Sequence, residues 1–86
     1  MDDLRQTLTL IIRRDCELCE IFQAELARSV ANDYAVELLD VDSEDDLRRQ
    51  YGEFVPTLLF DGQVVCFYRF DPAALERTIH GSSKPA

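Results

Sequence analysis

Two runs of strand-forming residues, Thr7–Ile12 and Tyr34–Val41, stand on either side of one long amphipathic stretch. That order constrains the fold more than any other feature of the chain. Leu8, Leu10 and Ile12 alternate onto one face of the first run, and Ile11 makes the other face partly apolar, which suits a central strand covered on both sides. Between the runs, Leu18, Phe22, Leu26 and Val30 recur every fourth residue, the spacing of a helix with one buried stripe. This helix ends near Asn32-Asp33. In the second run Val36, Leu38, Leu39 and Val41 are apolar. Strand, helix and strand in so short a span form a βαβ unit, so the two strands are expected to be parallel with a right-handed crossover.

The rest of the chain adds to this unit. Arg13-Arg14-Asp15 reads as a polar turn, with Asp15 as N-cap and Cys16 opening the helix above Glu17 and Glu20. Ser43 followed by Asp46 resembles a capping box that starts a second, shorter helix. Leu47 and Tyr51 face inward there, and Gly52 closes it. Thr57–Phe60 and Gln63–Tyr68 flank Asp61-Gly62, a strong hairpin signal. Asp71-Pro72 supplies an N-cap and a first-turn proline for a last helix. Leu75 and Ile79 mark its core side, and Gly81 its end. The order is βαβαββα in one domain, residues 1–81, with 82–86 as a flexible tail. The sheet is expected to run 2-1-3-4 with three flanking helices, the first and third on one face and the second on the other.

Composition narrows the function. The chain has 86 residues and a net charge of −8, and an acidic surface repels nucleic acid. No run approaches the roughly 18 apolar residues that a membrane span needs. Met1-Asp2-Asp3-Leu4 lacks the basic and apolar regions of a secretory signal, so a cytoplasmic protein is expected. In a reducing compartment its three cysteines are free, metal-bound or redox-active rather than a structural framework.

Cys16-Glu17-Leu18-Cys19 is a C-x-x-C motif. At a helix start the two sulfurs lie one turn apart on the same side. Unpaired N–H groups at that end favour a thiolate on Cys16, the species that attacks a disulfide. Cys19 lies a turn deeper and resolves the mixed disulfide. C-x-x-C is also half of many zinc sites, but a strand before it and a helix after it favour redox chemistry. Pro56, in Phe54-Val55-Pro56-Thr57, heads a strand after a loop and is a candidate cis proline. A cis bond there would turn the Val55 backbone toward the dithiol, where its N–H and C=O could pair with an extended substrate. Cys66 reads as a strand residue in or beside the core, or as a third redox thiol. His80 reads as a cation near a helix C-terminus. A zinc site from Cys16, Cys19, Cys66 and His80 has the right ligand count, but the fold does not favour it, and no metal is expected. Asp40–Asp46 lacks the glycine and terminal glutamate of a calcium loop.

These features together resemble the thioredoxin superfamily, and within it the short glutaredoxin-like proteins. Leu39-Asp-Val-Asp42, the acidic helix start after it, Tyr51-Gly52 and Val55-Pro56 are similar to that subgroup, over roughly residues 7–80. The resemblance implies that Cys16 is the nucleophile, Cys19 the resolving thiol and Pro56 the cis proline. It also matches Arg13 to a basic residue that helps hold a carboxylate of glutathione. Three positions depart from the pattern. Glu17 and Leu18 replace a proline and an aromatic, Phe54 replaces a threonine, and Cys66-Phe67 stands where glutaredoxins carry Gly-Gly beside glutathione. Glutathione is therefore not expected as the dedicated partner, though it remains a candidate reductant, and no other cofactor is expected.

The leading expectation is a monomeric thiol–disulfide oxidoreductase that reduces protein disulfides, recharged by a dithiol or flavoprotein reductant. Arg13, Val55 and Pro56 would form its substrate site. Asp15, Glu17 and Glu20 oppose a strongly stabilised thiolate, so the couple is expected near the reducing end, on the order of −230 to −280 mV. The alternatives are a non-catalytic adaptor of the same fold, or a module that binds a metal or cluster through its cysteines.

Overall fold

A computed structural model describes residues 6–30 and 34–83, with side chains as far as Ile79. The elements are β1 (Gln6–Ile12), α1 (Glu17–Val30), β2 (Tyr34–Asp40), α2 (Asp45–Tyr51), β3 (Thr57–Phe60), β4 (Gln63–Phe67) and α3 (Pro72–Ser83). A 3-10 turn, Val41–Ser43, joins β2 to α2. The four strands form one mixed sheet in the order β2-β1-β3-β4. β1 pairs in parallel with β2 and antiparallel with β3, and β3 pairs antiparallel with β4. This is the expected topology. The βαβ crossover forces the parallel pair, and a tight hairpin can only give an antiparallel one.

The core lies on one face of the sheet. Leu8 and Leu10 of β1 and Leu58 and Phe60 of β3 meet Phe22, Leu26 and Val30 of α1 and Leu75 of α3. α1 and α3 therefore share a face, as expected. Ile11 and Thr57, paired across β1 and β3, point to the other face, and both are fully buried. β1 is thus covered on both sides. The hairpin turns at Asp61 and Gly62, whose φ values of 53° and 79° are the left-handed pair of a type I′ turn. Asp71 caps α3 by accepting the Ala74 N–H at 3.2 Å.

Four local expectations are corrected. Asp15 is not the cap of α1. The chain turns sharply out of β1, and Asp15 takes up that turn at φ 55°, a conformation aspartate tolerates better than most residues. Leu18 is exposed, and Cys19 opens the buried stripe in its place. Ser43 forms no capping box. Its hydroxyl donates back to the Asp40 carbonyl at 2.7 Å inside the 3-10 turn, and Glu44 stands at the start of α2 with no side-chain cap. α3 runs past Gly81 to Ser83. The expected end of α1 near Asn32-Asp33, and residues 84–86 of the tail, lie outside the described residues.

Candidate functional site

The site forms where the sheet delivers several loops to one end. Ile11, near the C-terminal end of β1, pairs with Thr57 at the start of β3, and Thr57 pairs with Phe67 at the end of β4. Ile12 pairs with Asp40 at the end of β2. The turn carrying the dithiol, the Val55-Pro56 loop, the exit of β4 and the 3-10 turn therefore all leave from the same edge.

Cys16 stands just before α1, and its carbonyl accepts the Glu20 N–H at 3.1 Å, the first bond of the helix ladder. Its sulfur accepts the Cys19 N–H, also at 3.1 Å. Cys16 is therefore itself the N-cap, with Sγ in the place a serine or aspartate oxygen usually takes. An N–H aimed at sulfur at the positive end of a helix favours the thiolate. Cys16 and Cys19 stand at disulfide-bonding distance, with Cα atoms 5.2 Å apart. Cys16 is half-buried and Cys19 is only 2% exposed, an arrangement with one reachable sulfur and one shielded.

The Val55-Pro56 bond is cis, as expected. The loop is held by its own neighbours. Phe54 donates its N–H to the Tyr51 carbonyl at 2.8 Å, and the Thr57 hydroxyl donates to the Phe54 carbonyl. Tyr68 donates its N–H to the Pro56 carbonyl at 2.9 Å. Among the described residues, the Val55 N–H and C=O have no hydrogen-bond partner.

Arg13 is bound within the chain. Its Nε donates to Asp42 Oδ2 at 3.0 Å, its Nη2 to Asp42 Oδ1 at 3.4 Å and its Nη1 to the Gly52 carbonyl at 3.0 Å. It ties the exit of β1 to the 3-10 turn and to the end of α2. The Arg13 hydrogen bond, opposed by desolvation and aided by the charges of Arg13 and Arg48, holds the Asp42 carboxyl below the usual carboxylate range. A substrate carboxylate at Arg13 would have to displace Asp42.

Cys66 is half-buried on β4, opposite Leu58, and packs against the core. Burial pushes its thiol pKa up. The backbone N–H of Asp71 partly counters this, and the Asp71 charge adds to the rise. No group of three His, Cys, Asp or Glu side chains that could hold a metal ion is present among the described residues. The His80 side chain lies outside them.

Sequence reasoning missed one feature. Phe54, Phe67 and Tyr68 form an exposed aromatic cluster, with ring centroids 5.4–6.4 Å apart. A signal was present, since each flanks either Val55-Pro56 or the end of the last strand. Of the three, Phe54 and Phe67 stand at positions that depart from the glutaredoxin pattern, and Tyr68 follows the last strand.

The comparisons with known proteins agree with this geometry. Residues 7–80 match the family model "Glutaredoxin-like domain (DUF836)". A structural-genomics target protein from X. campestris is similar, with 30% identity and a TM-score of 0.70, covering 91% of this chain and 99% of that one. A mutant thioredoxin from Halobacterium salinarum shares 27% identity, with a TM-score of 0.58 over 93% of this chain and 76% of that one. Thioredoxin 1 from Thermosipho africanus has the same fold, with a TM-score of 0.58 and 19% identity over 91% and 99% of the two chains. A search of the curated proteins gave no match. With the family model spanning β1 to α3, the chain belongs to the glutaredoxin-like domain family, on a thioredoxin fold.

Proposed function

We propose that this protein is a thiol–disulfide oxidoreductase that reduces protein disulfides through Cys16 and Cys19. The observation that carries this reading is the pair itself, in which a half-exposed sulfur caps a helix and a buried sulfur stands at bonding distance from it. The Cys16 thiolate attacks one sulfur of the substrate disulfide. A Cys16–substrate S–S bond forms, the substrate bond breaks, and the leaving thiolate takes a proton. Cys19 loses its proton and attacks Cys16 Sγ. The Cys16–Cys19 disulfide forms and the second substrate thiolate is released. Two electrons pass to the substrate, and an external dithiol or flavoprotein reductant returns two to the protein.

Val55 supports the substrate by pairing its N–H and C=O with an extended segment, and Pro56 fixes the loop that presents them. Arg13 serves first as the clamp on that end of the sheet. Cys66-Phe67, at the place where a glutathione backbone would approach, makes glutathione a poor dedicated partner, so the reductant is a protein. The protein works as a monomer in a reducing compartment such as the cytoplasm, without nucleic acid or membrane. No helix among the described residues is long and apolar enough to cross a membrane.

The test is turnover of a protein disulfide, such as insulin, with dithiothreitol as electron source. The wild-type chain should accelerate reduction, and Cys16→Ser should leave only the background rate. The couple should equilibrate at about −230 to −280 mV, the reducing end of the range for such dithiols. Equal rates for wild type and Cys16→Ser, or a potential above about −180 mV, would reject a reductant role.

A further inference from the structure

Phe54, Phe67 and Tyr68 are 40%, 42% and 42% exposed, although they pack on one another. Phe54 and Phe67 lie 5.4 Å apart at 34°, and Phe67 and Tyr68 lie 5.7 Å apart at 57°. The cluster is built in place rather than left loose. The Tyr68 hydroxyl donates to the Glu53 carbonyl at 2.8 Å, its N–H is held by Pro56, and its φ is 70°. Left-handed backbone at a tyrosine is rare and survives where surrounding contacts fix it. Phe54 directly precedes Val55, whose N–H and C=O have no hydrogen-bond partner among the described residues, and Phe67 leaves the sheet beside Thr57. Contiguous exposed aromatics next to open backbone groups have the make-up of a peptide-docking surface.

We propose that Phe54, Phe67 and Tyr68 form the platform that selects the substrate polypeptide, taking a large apolar side chain close in sequence to the cysteine that Cys16 attacks. This rests on the dithiol reading, whose substrate must lie along Val55 and so pass beside the platform. A protein segment with a Phe or Leu near its cysteine covers the rings while its backbone pairs with Val55. Glutathione has no apolar side chain to place there, and its two carboxylates meet a chain of net charge −8.

The test uses two synthetic peptide disulfides that differ only in Phe or Ser two residues from the cysteine. Redox-inert versions of both, with that cysteine replaced by serine, report binding by titration calorimetry. The full chain is compared with Phe54→Ser, Phe67→Ser and the control Val64→Ser, which removes an exposed apolar side chain near the hairpin at the far end of β4. The wild type should bind the inert Phe peptide about tenfold more tightly than the Ser peptide, the scale of one partly buried aromatic. Phe54→Ser and Phe67→Ser should each reduce that ratio severalfold, and Val64→Ser should keep it. The kcat for both peptides should stay within about twofold of wild type in Val64→Ser. Equal wild-type affinities, a ratio that survives both platform variants, or a dimer that Phe67→Ser dissociates would overturn the proposal. Binding preference without reduction would reject the dithiol reading and retain the platform. Reduction without preference would do the reverse.

Discussion

At Cys16 the helix cap is the sulfur that the proposed function makes the nucleophile. Sγ accepts the Cys19 N–H in the place a serine or aspartate oxygen would normally take, so the start of α1 is ordered by a thiol sulfur. Cys66 shows the opposite environment, because burial raises its thiol pKa and keeps it protonated near neutral pH. In the fully reduced protein at pH 7, iodoacetamide should therefore modify Cys16 first, with Cys66 slower by at least about tenfold, since the thiolate is the reacting form. Peptide mass spectrometry over time would read the order, and the gap should narrow as the pH is raised toward 9. Comparable rates at pH 7 would mean that Cys66 is more ionised than its packing allows. The two dithiol residues were legible from spacing and context alone. The cap was not, because it depends on the sharp turn at Asp15, which composition does not specify.

Among the elements, most of the sheet could be read from periodicity. The βαβ spacing dictates the parallel pair, and Asp61-Gly62 dictates the hairpin. The junction between β2 and α2 was harder, because Ser43, Glu44 and Asp46 can cap a helix in several registers. The observed one is chosen by Asp40, which accepts the Asp42 N–H at 2.9 Å and opens a 3-10 turn. That turn carries Asp42 to Arg13. Since Asp42 titrates lower in the folded chain than unfolded, the pair stabilises the fold above the unfolded carboxylate pKa, and this contribution is lost as pH falls through the lower folded value. Asp42→Asn should therefore show a smaller loss of urea stability than wild type between about pH 5 and pH 2. An unchanged acid profile would mean that the contact contributes nothing in solution. α1 is held by its buried stripe, and Phe22, 1% exposed, is its largest member. Phe22→Ala should cost about 3–5 kcal/mol in urea unfolding, by lost burial and a residual cavity. A cost below about 1 kcal/mol would contradict the core described for this face.

At the scale of the whole molecule, the sheet collects at one end a dithiol, an open backbone edge at Val55, an aromatic cluster and a charged clamp. The sequence places the first two, because strand order fixes which loops share an end. The aromatic cluster needs the register of β3 against β4, including the irregularity between Leu58 and Leu59, and that is set by three-dimensional pairing. An acidic chain of net charge −8 should also favour substrates with basic flanks, so reduction of a basic protein disulfide should slow several-fold between about 20 and 200 mM salt, as screening shortens the reach of these charges. The central claim is that Cys16 attacks and Cys19 resolves. The direct measurement is trapping, in which a reduced Cys19→Ser chain is mixed with a protein disulfide and the products are mapped by mass spectrometry without added reductant. A stable mixed disulfide should accumulate on Cys16, while the wild type should pass through it to the Cys16–Cys19 disulfide. No adduct, or an adduct carried by Cys66 in place of Cys16, would contradict the account.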